Sequence, residues 1–307
     1  MMMARERMKE KRIDPDSVDS ERVREFLNLV IDITTERTVY DTIKKYNING
    51  RVHPEIVPEQ ASGRWSVTKP GLTVLGKRKG KWVERQVLLP DEDEVIIAVD
   101  MDQVDARVVA GLCQDPAYMA LFAPGKDLHS EVAMRIFGRC DGEFRERAKV
   151  GAHGYSYGLG PKGLAAQMGV SLEKAEEFIQ GMREEFPILA QWRNDTIRLA
   201  KSGEFLDSGF GRKLRPDPER ASTQGPGLRG QSGTRDLMAQ WVLNLEWDHV
   251  KMLKVVVHDE GIFSVPRQNW QQHADAIVSA ATMEFRGVPI TAGVTGPGDD
   301  WGSIYAK

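Results

Sequence analysis

Two apolar runs in this chain stop at aspartates. Val95-Ile96-Ile97-Ala98-Val99 is continuous and ends at Asp100. Val255-Val256-Val257 leads to His258-Asp259-Glu260, and after Gly261 a second run, Ile262-Phe263-Ser264-Val265, leads away. Runs of this length read as buried strands, and the second pair reads as a β-hairpin whose tip holds two adjacent carboxylates. Elsewhere the apolar spacing is helical. Val23, Phe26, Leu27, Val30 and Ile33 predict a helix from a Ser20 cap to about Lys45, ended by Asn47-Ile48-Asn49-Gly50. Further helices are predicted over 108–121, from an Asp127 cap through Phe137, from a Ser171 cap to Pro187, and over 189–201, 231–250 and 271–285. Pro216, Pro218, Gly225, Pro226 and Gly227 predict a long loop before the helix at 231, and a short strand is expected near 288–294. Residues 1–19 read as a charged lead-in.

Composition narrows the class. A chain of 307 residues can bury one large core or two or three small ones. Hydrophobic residues make up 41% and no apolar run approaches membrane-spanning length, so the chain reads as soluble, with no membrane partner. The N-terminus is charged and lacks the apolar stretch of a secretory signal. Two cysteines, Cys113 and Cys140, do not make a disulfide framework and fit a reducing, cytoplasmic setting. A net charge of −3 argues against a nucleic-acid partner, but such binding uses local patches.

Two patches qualify. Arg64, Lys69, Lys77, Arg78, Lys79, Lys81 and Arg85 fall in a short span with few acids, around the flexible turn Ser62-Gly63-Arg64-Trp65-Ser66. Such a run is either a solvated loop or a surface for phosphates. Arg145, Lys149, His153 and Tyr157 are spaced by four, along one helix face. That stripe is either an ordinary solvated face or a cradle for a polyphosphate. Asp100 and Asp259, if their strands meet, make a sparse two-carboxylate site of the kind Mg²⁺ takes. Gly298-Asp299-Asp300 matches a polymerase-like tripeptide but lies in a Gly/Pro loop near the end and reads as a terminal turn.

Three of these stretches resemble one family in order. Val99-Asp100-Met101-Asp102-Gln103-Val104-Asp105-Ala106-Arg107 resembles the first catalytic motif of family A DNA polymerases, the bacterial DNA polymerase I type. Arg145 to Gly158 resembles the family's fingers helix, Arg-x-x-x-Lys-x-x-x-Phe/Tyr-Gly-x-x-Tyr-Gly, and Val257-His258-Asp259-Glu260 resembles its third motif. Gly63-Arg64, the run Lys126 to His129, and Gln231-Ser232-Gly233 before Asp236 add to the likeness. The resemblance implies a mixed α/β (α+β) right-hand polymerase fold with an antiparallel palm sheet. The palm would comprise 51–110 and 202–307, helical fingers 111–201 would be inserted, and a thumb remnant would occupy 20–50. It implies template-directed DNA synthesis from dNTPs on a primer-template, with two Mg²⁺ ions that Mn²⁺ can replace. In that reading Asp100 and Asp259 hold the metals, with Lys149 and Glu260 catalytic beside them. Gln103, Asp105, His129, Arg145, Lys149, His153 and Tyr157 bind the nucleotide. Arg64, Arg78, Gln231 and His258 contact DNA. About fifty residues before the polymerase-like region are too few for an exonuclease, so no proofreading is expected, and a second chain could supply thumb or exonuclease. The competing reading is a catalytically silent DNA-binding remnant or one half of a split polymerase needing a partner chain; a phage-encoded chain would work in its host's cytoplasm. Five positions depart from the family: Asp105 for Glu, His153 for Phe or Tyr, Met101-Asp102 for Tyr-Ser, and Gly227 for an Asn.

Overall fold

A computed structural model of the chain describes residues 37–76 and 81–306. The predicted lead-in, the first part of the predicted N-terminal helix, and Lys77, Arg78 and Lys79 lie outside the described residues. Residues 37–46 are helical and end at a turn through Asn49 and Gly50, both at positive φ.

The predicted strands build one sheet. Its members are β1 (Glu94–Met101), β2 (Leu253–Val257), β3 (Glu260–Pro266) and β4 (Ala292–Gly298), in spatial order β4-β1-β3-β2. Every neighbouring pair is antiparallel. Both faces are covered, so β1 and β3 read as unbroken apolar runs rather than as alternations. One face packs Ile97, Val99 and Phe263 under Trp241 and Ile277. The other packs Ile96, Ala98 and Ile262 against Leu72, Trp301 and Ile304.

Between β1 and β2 the chain is mostly helical. The helices are α1 (Val104–Cys113), α2 (Leu128–Phe137), α3 (Gly142–Ser156), α4 (Pro161–Met168), α5 (Leu172–Glu185), α6 (Pro187–Lys201) and α7 (Ala221–Asn244). After β3 comes α8 (Trp270–Ala281). Helices α2 to α6 share their own core around Tyr118, Leu164, Phe178 and Phe186. Helix α1 joins the two cores: Val104 and Val108 enter the sheet core, Val109 and Ala110 the helical one. The predicted caps form, Asp127 accepting from Ser130 N at 2.8 Å and Ser171 from Lys174 N at 3.3 Å.

Four expectations change. Helix α1 stops at Cys113, because Gln114 turns left-handed (φ 58°) and Asp115-Pro116 starts a new short helix. The Gly/Pro stretch at 225–227, predicted as loop, is helical. Gly225, Pro226 and Gly227 are buried in α7, and packing on its neighbours overrides the local breakers. The last helix ends at Ala281, and 283–285 turns back to pair with 288–290. The hairpin tip is His258-Asp259, not Asp259-Glu260, since Glu260 already pairs with Val257. Among the described residues no helix is long and apolar enough to cross a membrane.

Candidate functional site

The two motif strands run side by side and end together. Register sets Asp100 of β1 opposite Glu260 of β3. Asp259 occupies the turn just beyond, and its carbonyl accepts from Met101 N at 3.1 Å. Both connections at this end carry a residue in the left-handed region: His258 (φ 60°) before Asp259, and Gln103 (φ 50°) between Asp100 and α1. Non-glycine residues in that conformation are held there by their surroundings and cluster at functional sites.

Beside the Asp259 turn opens a cavity of about 540 Å³. Gln103 and Asp105 line it from the start of α1, His129 from α2, and Lys149, His153 and Tyr157 from the end of α3. The spacing of four thus puts three of its four stripe residues on one wall. His153 is exposed and stacks on Tyr157, centroids 4.4 Å apart and planes inclined 28°, so the imidazole takes the place of a flat ring. Lys149 stands 3.8 Å from Glu146, a loose surface pair that leaves its charge directed by whatever enters the cavity. Burial lowers the pKa of His129, the charges of Arg145 and Lys149 reinforce this, and Asp127 opposes it.

Asp105 is the most constrained carboxylate here. Burial alone would raise its pKa, but the Arg64 guanidinium and the Thr234 hydroxyl outweigh this and hold it below the ordinary range. Arg64 Nη2 donates to both its oxygens, at 2.8 and 3.0 Å, and Thr234 donates to Oδ1. Asp259, in contrast, is pushed up, first by burial and then by the charge of Asp105. Burial and the same charge push the Tyr157 hydroxyl well above its usual value. The loop carrying Arg64 is fixed from behind. Arg212, ion-paired to Asp236, donates to the Ser62 carbonyl at 3.3 Å. Gly63 sits at φ 72°, and a Cβ there would fall 1.7 Å from an Arg212 nitrogen, so only glycine lets the loop close on that guanidinium.

Other expected residues lie elsewhere. Arg145 does not line the cavity; its guanidinium forks onto Asp127 at 2.9 and 3.0 Å. Glu260 is buried and accepts the Tyr305 hydroxyl at 2.7 Å, so it is tied to the C-terminal segment and does not line the cavity as a partner of Asp259. Glu260 is the first residue of β3 whereas Asp259 belongs to the turn, so the two neighbours of the motif part here. The extra carboxylate, Asp102, is held by the Thr291 hydroxyl at 2.9 Å. Gln231 lies half-buried in α7 outside the cavity lining, His258 is exposed at the hairpin tip, and Arg78 lies outside the described residues. Asp299 pairs with Arg267 at 2.7 Å and Asp300 caps the Ser303 turn, so the terminal Gly-Asp-Asp is a turn. Sequence reasoning missed Thr234. The signal for it was the run Gly227, Gly230, Gly233, whose spacing of three marks a helix face of close approach.

Comparison with known proteins agrees with this architecture. The sequence model described as DNA polymerase family A matches residues 31–303. The DNA polymerase of Mycobacterium phage D29 is 28% identical over 260 residues, covering 83% of this chain and 42% of the relative. The thermostable DNA polymerase I of Thermus aquaticus is 27% identical over 281 residues, covering 82% of this chain and 32% of the relative. The chain therefore spans less than half the length of these relatives. Among solved structures, the POL domain of Pol1 from M. smegmatis, in complex with DNA primer-template and dNTP, superposes with a TM-score of 0.83. It does so at 23% identity, over 92% of this chain and 54% of that one, and shows the right-hand polymerase fold.

Proposed function

This chain belongs to DNA polymerase family A, and from that premise we propose that it extends a DNA primer along a template, using dNTPs. The observation that carries the reading is the cavity, which gathers a lysine, two histidines, two tyrosines and two carboxylates beside the end of the motif strands. In this assignment 51–110 and 202–307 form the palm and 111–201 the fingers.

Asp100 and Asp259 would hold Mg²⁺. The donor set fits: Asp100 lies at the end of β1 beside the turn that carries Asp259, and burial with the Asp105 charge raises Asp259 despite Arg64 and His258, so a cation would favour its ionised form. Among the described residues no three His, Cys, Asp or Glu side chains converge as a closed metal cage. Mg²⁺ needs none, since it takes one or two carboxylates together with substrate phosphates and water. When bound, the ions supply Lewis-acid activation of a primer hydroxyl and neutralisation of the departing pyrophosphate. The rest belongs to the chain. Lys149 meets the triphosphate as a fixed positive charge. His129, kept neutral by burial, adds a hydrogen-bonding ring without adding repulsion toward Lys149. The stacked His153 and Tyr157 wall the base and sugar. Arg145, committed to Asp127, braces the start of α2 against α3 and so positions His129 and Lys149. Asp105, pinned by Arg64, faces the sugar.

The test is extension of a labelled primer on a longer template by the purified chain, with and without Mg²⁺. Template-directed, Mg²⁺-dependent products are expected. DNA binding without extension, in either Mg²⁺ or Mn²⁺, would overturn the reading.

A further inference from the structure

Asp105 is short for a residue that must reach a sugar from the first turn of a helix, and the fold supplies a second element to hold it. Thr234 lies in α7, fully buried, and its hydroxyl donates to Asp105 Oδ1 across the seam between α7 and α1. The seam closes tightly enough for that contact because residue 233 is glycine. A Cβ there would come 2.5 Å from Val108 Cγ1 of α1, so any side chain would push the two helices apart. Arg64, on the loop that Arg212 fixes, donates to both oxygens of the same carboxylate and shares Oδ1 with Thr234.

We propose that Thr234 is a positioning residue for sugar discrimination: from α7 it locks the Asp105 carboxylate at the mouth of the nucleotide cavity, where it excludes a ribose 2′-hydroxyl. The inference rests on the polymerase reading above and adds to it a residue that touches neither nucleotide nor metal. The physical argument is geometric. Arg64 alone engages both oxygens through one nitrogen, but from a loop, so the carboxylate can shift as that loop shifts. A second donor on a buried helix ties it to the fold, and a fixed carboxylate presents a harder steric and electrostatic edge than a mobile one. Asp105 can then do the work of a longer side chain without its length.

The test uses Thr234→Val, which keeps the shape and removes the hydroxyl, and Thr234→Ser, which keeps the hydroxyl. The kcat/KM ratio of rNTP to dNTP is measured in primer extension for both variants and the parent. The ratio is expected to rise roughly 3- to 10-fold in Thr234→Val, the equivalent of one hydrogen bond, and to stay at the parental value in Thr234→Ser. A merely structural role would lower kcat for all nucleotides alike and leave the ratio unmoved. Alongside, a double-mutant cycle of Thr234→Val with Asp105→Ala is read by urea denaturation. The double variant is expected to unfold no earlier than the weaker single one. A parent chain that extends no primer would remove the polymerase reading on which the inference stands. A parent that extends, paired with a Thr234→Val variant of unchanged ratio or with additive midpoints, would overturn the inference alone.

Discussion

At the scale of single residues the site is a contest between burial and charge. Asp259 is raised and Asp105 lowered although both are carboxylates of one cluster, because Arg64 and Thr234 hydrogen-bond Asp105 directly, whereas the charges of Arg64 and His258 only partly offset the burial of Asp259 and its repulsion from Asp105. In the proposed reading a bound cation would complete that compensation. Asp259→Ala or Asp100→Ala is expected to cut extension about a thousandfold or more, since metal stabilisation of a transition state is worth several kcal/mol. An Asp259→Ala enzyme with a tenth of the parental rate would falsify the assignment. His129 gives a second measurement. Its folded pKa lies below the ordinary 6.5, chiefly through burial. The unfolded chain therefore takes up the proton first as pH falls. The stabilisation is complete above the unfolded value, declines as pH falls from it to the folded value, and is flat below. His129→Gln removes that dependence, so the stability of the parent relative to the variant should shrink between about pH 7 and pH 5 in urea titrations. A difference that is constant across this range would contradict it.

At the scale of elements the joints are made by side chains that satisfy helix ends. Asp115 is the clearest. It is 1% exposed, and its two oxygens serve two helices. Oδ1 accepts from Ala117 N and Tyr118 N at 3.0 and 3.2 Å, and Oδ2 from Ile188 N and Leu189 N at 2.9 and 3.0 Å. The first turns of a short helix and of α6, distant in sequence, are thereby tied at one point. A cap is worth about 0.5–2 kcal/mol. Asp115→Ala empties two caps in a buried place, so a loss of about 2–4 kcal/mol in unfolding free energy is expected. Asp115→Asn keeps one acceptor and should lose less. Equal stability of all three proteins in urea titrations would show that the joint is held by packing alone.

At the scale of the whole molecule two cores share one helix. The sheet core and the helical core meet at α1, and the cavity lies along that seam. Motion of the helical part against the sheet would therefore reshape the cavity before it disturbed the strand ends. Charge acts at this scale too. The chain carries −3 overall, and Arg64 and Arg212 are already paired with carboxylates. The proposed DNA binding would then rest on phosphate contacts made by other cations. With about four to six of them, counterion release predicts a fall in affinity of roughly 10²- to 10³-fold between about 50 and 200 mM salt. Fluorescence anisotropy of a labelled primer-template gives the slope, and an affinity indifferent to salt would contradict this picture.

The sequence by itself determined the strands that end in Asp100 and Asp259, the stripe on α3, the caps at Asp127 and Ser171, and the family. These are local or ordered signals: a run of apolar residues, a spacing of four, motifs in sequence. The tertiary structure alone decided the rest. It made a helix of the 225–227 stretch, because buried contacts outweigh local propensity. It diverted Glu260 to Tyr305 and Arg145 to Asp127, because which partner a charged side chain finds depends on elements far away in the chain. Thr234, 129 residues from Asp105, became a partner because a glycine allowed two helices to close. The glycine spacing marks a helix face of close approach, but not what it meets, since that depends on how two separately folded faces are laid together.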